Sequence, residues 1–197
     1  MIGHRLQARP PARWTAKGLP IEHPARLWRQ VGAEWELDDL IVAADSLILP
    51  RRRLLSIEDL RREVLEAGDV AGKLLTRALL EARPGAETAE ETRLRLLLVR
   101  AGLPEPELNF DLRAGGEFIA RLDLAYPRYR VAVEHDGRIH AEDQAQFAKD
   151  ADRWDAIRAI GWQHVRVLSH HMRPNPQIAV DKASRALFDA GWRPGRN

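Results

Sequence analysis

Residues 107–137 read ELNFDLRAGGEFIARLDLAYPRYRVAVEHDG, and the fold turns on this stretch. Its apolar residues recur at every second position through Leu108, Phe110 and Leu112, the period of a strand with one buried face. Gly115-Gly116 follows as a two-residue hairpin signal and leads into a second strand over Glu117–Leu124. A third, Val-rich strand spans Tyr129–His135 and stops at Asp136-Gly137. Three strands with such short links form an antiparallel meander.

The meander carries acids where strands are depleted of them: Asp123 in the second strand, Glu134 and Asp136 at the end of the third. Alternation points Glu134 and Asp136 to one face and His135 to the other. A turn at Arg128-Tyr129 sets Asp123 opposite Glu134 and Arg121 opposite Asp136, with Cβ atoms ~4.5–5.5 Å apart. Two carboxylates that close repel unless a cation or a proton lies between them. Oxygen ligation of Mg²⁺ or Mn²⁺ is one resolution. The plainer reading makes Asp136-Gly137 a turn and pairs Glu134 with a nearby arginine. That reading weakens when Asp123, Glu134, Asp136 and His140 are taken together, because all four gather at one end of the meander.

Working outward, Thr88 and Glu91 have capping-box spacing ahead of a helix with Leu94, Leu97, Leu98 and Ala101 on one stripe. Glu91 is thus placed either to close its own helix terminus or to lean toward the acidic cluster. Beyond the meander, Phe147, Ala151, Trp154 and Ile157 lie at helical spacing within about Asp143–Ile160, and Gly161 ends that helix. Trp162–Leu168 reads as a fourth strand and Pro176–Ala190 as a last amphipathic helix. The order is helix, three-strand meander, helix, strand, helix: an α/β layer whose fourth strand is reached by a helical crossover.

Residues 1–84 read as mostly helical. Pro24 opens a helix with Leu27, Trp28 and Val31 inward. A second runs over about Leu37–Leu49, and Ser56 and Asp59 start a third through Ala67 with Leu60, Val64 and Leu65 apolar. A fourth covers about Ala71–Glu81 before Pro84-Gly85 breaks the pattern. The predicted division is therefore 1–84 and 85–197. His164 is expected as a strand residue with a satisfied partner, His170-His171 as loop residues, and Trp154, Trp162 and Trp192 as core anchors.

The chain of 197 residues suits one large domain or two small ones. It holds no cysteine, which excludes disulfides, thiol catalysis, iron–sulfur clusters and Cys-based zinc sites, and points to the cytoplasm. Mean hydropathy is −0.40, and no segment approaches the ~18 uninterrupted apolar residues of a membrane span. The basic Met1–Arg13 stretch has no apolar run behind it, so no signal peptide is expected. Residues 1–20 hold Arg5, Arg9, Arg13 and Lys17 and no acid, whereas the net charge of the whole chain is only +2. Residues 158–197 add seven cations against Asp181 and Asp189. Basic ends around an acidic middle suit a polyanion-binding protein that keeps carboxylates for another task, and equally suit ordinary solvated termini.

Several runs together resemble a known family: Glu91-Thr92-Arg93-Leu94-Arg95, Arg121 through Pro127, Val131 through Gly137 with His140, Asp152-Arg153-Trp154-Asp155, and Gly161-Trp162 through Val167. They are similar to the very-short-patch-repair-like branch of the restriction-endonuclease-like PD-(D/E)xK superfamily, as found in C-terminal domains of abortive-infection antitoxin-like proteins. The similarity spans about residues 85–172. It implies a three-layer domain with a mixed sheet and a Mg²⁺- or Mn²⁺-dependent endonuclease or nickase acting on DNA. Asp123 and Glu134 would bind the metal, Asp136 and His140 would complete or flank the site, and Glu91 would approach from the first helix. His140 is suited to general acid or base work. Arg121, Lys149 and Arg153 would hold phosphates, unless they pair with the helix's own Asp150, Asp152 and Asp155. The motif's proline is Leu122 here, and its lysine position is taken by Asp136. Without that lysine, water activation falls to the metal or to His140. The cysteine zinc site of the mismatch-repair enzymes cannot form. A nickase monomer or a double-strand-cutting homodimer follows from one site per chain. A catalytically silent DNA-binding or antitoxin module, with a toxin or regulatory partner, is the alternative. A small-phosphoester hydrolase is a third.

Overall fold

The computed structural model describes residues 13–70, 72–137 and 144–195. The chain divides into two compact units, Met1–Ala82 and Arg83–Asn197.

The first unit contains a short ribbon of β1 (Arg13–Trp14) and β2 (Pro20–Ile21), then helices α1 (Pro24–Val31), α2 (Leu37–Leu47), α3 (Ile57–Ala67) and α4 (Leu74–Glu81). Pro24 sits in the first turn of α1, where its missing N–H costs nothing. Trp28 is buried and its indole donates to the Leu40 carbonyl at 2.9 Å, tying α1 to α2. Ser56 and Asp59 form the expected reciprocal capping box. Leu27, expected to face inward, is exposed, and the apolar Leu65 is 86% exposed. Each helix here buries a narrow stripe, Ala25 and Trp28 on α1 and Leu60 and Glu63 on α3, and Leu65 falls well round the helix from Leu60 at 100° per residue. The fourth helix begins at Leu74, later than its apolar pattern suggests, because Lys73 takes a left-handed conformation.

The second unit runs α5 (Ala89–Arg100), β3 (Glu107–Ala114), β4 (Glu117–Tyr126), β5 (Val131–Asp136), α6 (Gln144–Ala159), β6 (Gln163–Leu168), α7 (Ser169–Met172) and α8 (Gln177–Asp189). Its sheet has the order β3-β4-β5-β6, antiparallel except for the parallel β5/β6 pair. This is the order read from the sequence, a mixed α/β sheet with helices on both faces. On one face Leu94 and Leu98 of α5 and Ala179, Ala183 and Leu187 of α8 pack on Leu124, Val131, Val133, Val165 and Val167. On the other, Ile157 of α6 packs with Leu112, Ala120, Leu122, Ala132 and Trp162.

The simple alternation of β3 does not hold throughout. Leu108 packs with the α5/α8 core, whereas Phe110 and Leu112 belong to the α6 face. Asn109, between them, has φ +47°, and one left-handed residue rotates the strand so that the period-2 pattern changes face. β4 makes the same change, with Leu122 on the α6 face and Leu124 on the other. The ladder pairs Leu108 with Leu124 and Phe110 with Leu122, so Asn109 and Asp123 face each other at the step.

Candidate active site

β5 follows β4 through a short 3₁₀ turn, Pro127–Tyr129, and Arg130 in left-handed conformation. The ladder pairs Leu124 with Val133, Ala125 with Ala132 and Tyr126 with Val131. Extended by one residue, this register brings Asp123 opposite Glu134. Beyond Leu124 the backbone pairing gives way, and the Asp123 Oδ2 takes the His135 N–H at 3.1 Å in place of a main-chain carbonyl. Asp123, Glu134, Asp136, Arg153, Trp154 and Arg166 line a polar cleft of ≈ 140 Å³ on the α6 side of the sheet.

The cleft is an electrostatic balance. Burial pushes the Asp123 carboxyl up to about 7, and the charges of Glu134 and Glu91 push the same way. Glu134 is buried and answered by a guanidinium: Arg153 donates from Nη2 at 2.5 Å and Nη1 at 3.1 Å, and the His164 Nε2 lies 2.9 Å from Oε2. Asp136 accepts from the Arg166 Nε at 2.7 Å. Repulsion between the opposed acids is thus relieved by a proton favoured on Asp123 and a guanidinium on Glu134. The Trp154 ring stacks against His164 at 5.4 Å between centroids and lies 4.8 Å from the Arg166 guanidinium carbon, so one aromatic plate orients both groups. The Trp154 Nε1 is buried with no hydrogen-bond partner among the described residues.

Glu91 takes the capping role. Its carboxylate accepts from the Glu87 N–H at 2.7 Å and the Thr88 hydroxyl at 2.9 Å, closing the α5 terminus. It also accepts from the Asn109 Nδ2 at 3.0 Å, and its charge acts on Asp123. Arg121, in contrast, does not pair with Asp136. It crosses to the other neighbouring strand and holds Asp111 at 2.7 Å, while Asp136 takes Arg166 of β6. The cause is the strand order: β5 has β6 on its far side, and the parallel register sets Glu134 against Arg166 and Asp136 against Leu168. Arg153 binds neither Asp152 nor Asp155 but Glu134, and its Nη2 also donates to the Arg121 carbonyl at 2.8 Å. His140 and the Lys149 side chain lie outside the described residues.

Trp154 packs against the α6-side core, as expected of an anchor, and also forms a wall of the cleft. Arg166, quoted only within the Gly161-Trp162 through Val167 run, and Asn109 were given no role from the sequence. Arg166 was legible, since His164 and Arg166 alternate with the buried Val165 and Val167 and so share the face of Glu134. Asn109 had no comparable signal beyond the tolerance of asparagine for positive φ.

Asp123 and Glu134 offer hard oxygen donors of the kind Mg²⁺ or Mn²⁺ accepts, and the Trp154 Nε1 of the same cleft wall is left without a partner among the described residues. No group of three or more His, Asp or Glu side chains among the described residues gathers for a metal. A cation on Glu134 therefore requires Arg153 to release it.

No protein-family model matches the chain, and no solved structure matches it. Two uncharacterized proteins of Mycobacterium tuberculosis, MT2308 of strain CDC 1551 / Oshkosh and Rv2248 of strain ATCC 25618 / H37Rv, are each 29% identical to it over 130 residues. The aligned part is 66% of this chain and 48% of each relative, so the chain spans about half the length of the curated relatives it matches.

Proposed function

We propose that the Arg83–Asn197 unit is a Mg²⁺- or Mn²⁺-dependent nuclease of the PD-(D/E)xK type that hydrolyses phosphodiester bonds in DNA, in the cytoplasm. The observation that carries this reading is the opposition of Asp123 and Glu134 across the β4/β5 pair, in a polar cleft rimmed by two arginines. Asp123 and Glu134 would hold the metal, which supplies polarisation of the scissile phosphate and a lowered pKa for the attacking water.

The chain's own groups do the rest. Arg153, once off Glu134, has its guanidinium in the cleft as a phosphate ligand and takes the electrostatic part of the motif lysine that Asp136 replaces. His164 keeps Glu134 oriented from behind. Asp136 is neutralised by Arg166, which keeps a third negative charge from repelling the phosphodiester. A monomer with one such site nicks, and a homodimer cuts both strands.

The test is incubation of supercoiled plasmid with Mg²⁺ or Mn²⁺ and the full-length wild type, Asp123→Ala or Glu134→Ala. Metal-dependent nicking lost in both variants is expected; equal nicking by all three proteins would sink the assignment. One observation favours a second reading, a non-catalytic DNA-binding or antitoxin module: both Glu134 oxygens are already engaged by Arg153 and His164. Mn²⁺ calorimetry separates the two, since a binding-only module has no affinity that depends on Asp123.

A further inference from the structure

Past the acidic cleft, on the side of β6 and α8, lies a second cavity of ≈ 450 Å³. Arg166, Ile178, Asp181, Lys182 and Arg185 line it. Arg166 borders both cavities, so the two adjoin at that residue. Lys182 and Arg185 stand three apart on α8 and therefore share a face. No carboxylate pairs with either among the described residues; Asp181, the acid beside them, accepts from the Gln177 Nε2 at 2.8 Å.

The positive charge acts on neighbouring groups. Burial holds the Lys182 ammonium below its ordinary range, and Arg166 adds to this. Burial also lowers His171 of α7, with Lys182 and His170 acting in the same direction. The His171 Nδ1 accepts the Leu168 N–H at 3.0 Å, so its neutral ring carries the proton on Nε2 and remains a donor. Along the cavity wall Lys182 and Arg185 outnumber Asp181, while Arg166 is already matched by Asp136. An anion there collects donors from both β6 and α8.

We infer that the trough of Arg166, Lys182 and Arg185 is a phosphate site, occupied by the backbone phosphate next to the one held in the acidic cleft. This rests on the nuclease reading and extends it by assigning the direction of the strand: from the Asp123–Glu134 opposition, past Arg166, over the exposed side of α8. Arg166 is the hinge of the arrangement, because the guanidinium that neutralises Asp136 also faces the neighbouring phosphate. The ligand class is a phosphodiester, and a free phosphate anion has the same chemistry; the two sources are separated below.

The experiment compares full-length wild type with the double variant Lys182→Gln/Arg185→Gln. Fluorescence anisotropy follows a labelled DNA oligonucleotide over a salt series, and calorimetry follows Mn²⁺. Expected for the variant are roughly tenfold weaker DNA binding and a log–log salt slope reduced by about two, one for each lost phosphate contact. Its Mn²⁺ affinity and melting temperature stay at the wild-type values. Wild-type DNA affinity and slope in the variant would overturn the site. Inorganic phosphate binding that is lost in the variant while DNA binding is untouched would also overturn it, leaving a small-anion pocket. Loss of DNA binding in the variant, with no metal affinity in the wild type, keeps the phosphate site and removes the nuclease reading. Undiminished DNA binding with Asp123-dependent cleavage does the reverse.

Discussion

Asp123 carries its proton to about pH 7 because burial and two neighbouring carboxylates disfavour the charge. A raised carboxyl pKa makes the folded protein bind more protons than the unfolded chain between about pH 4 and 7, so this residue's contribution to stability is full below pH 4 and falls as pH rises through 7. Asp123→Asn is therefore expected to flatten the decline in melting temperature over that window, an effect on the order of a few kcal/mol at its upper end, read by thermal melts at each pH. Arg153 is the complementary case. Its two bonds to Glu134 balance a buried carboxylate that His164 alone answers less well. Arg153→Met is expected to cost about 2 kcal/mol of stability and to raise Mn²⁺ affinity about tenfold by clearing Glu134. Denaturant melts measure the first, calorimetry the second. Asp123 and Glu134 were legible in the sequence because carboxylates in strand interiors need a reason. Arg153 as the partner of Glu134 was not, because 19 residues separate them in the chain and no local pattern reports such a distance.

Elements set the site through the step at Asn109 and Asp123. Asn109 holds a left-handed conformation inside a strand, and its amide donates to the Gly85 carbonyl at 2.6 Å and to Glu91 at 3.0 Å. Gly85 has φ +128°, and a Cβ on it would lie 2.9 Å from the Leu108 Cβ. The loop before α5 is thus pressed against β3, and the step is braced from both sides. Asn109→Val, which combines a β-branched side chain with positive φ and removes two hydrogen bonds, is expected to cost roughly 3 kcal/mol. Asn109→Gly keeps the backbone and loses only the bonds, for about 1 kcal/mol. Equal melting temperatures for the two variants would show that the backbone conformation carries no strain. Strand existence, the hairpin at Gly115-Gly116 and the caps at Ser56 and Thr88 follow from local pattern. The change of face does not, because one torsion at Asn109 inverts a periodicity that reads unbroken through Leu108, Phe110 and Leu112.

For the molecule as a whole, the two core clusters of the second unit's sheet are built from residues 94–192. Residues 83–197 expressed alone are accordingly expected to melt cooperatively and to keep the near-ultraviolet signal of buried Trp162 and Trp192; a non-cooperative melt would mean that the core requires the preceding helices. No helix among the described residues is long and apolar enough to cross a membrane. By itself the sequence determined what is local or cumulative: helix, meander, helix, strand and helix, the break near Pro84-Gly85, and two opposed acids at one end of a hairpin. These follow from spacing, capping and turn chemistry, which act over a few residues. Tertiary structure alone decided which charge answers which, sending Arg121 to Asp111, Arg153 to Glu134 and Arg166 to Asp136. Coulomb energy depends on distance through space, and that distance exists only after β6 and α6 have closed over the sheet.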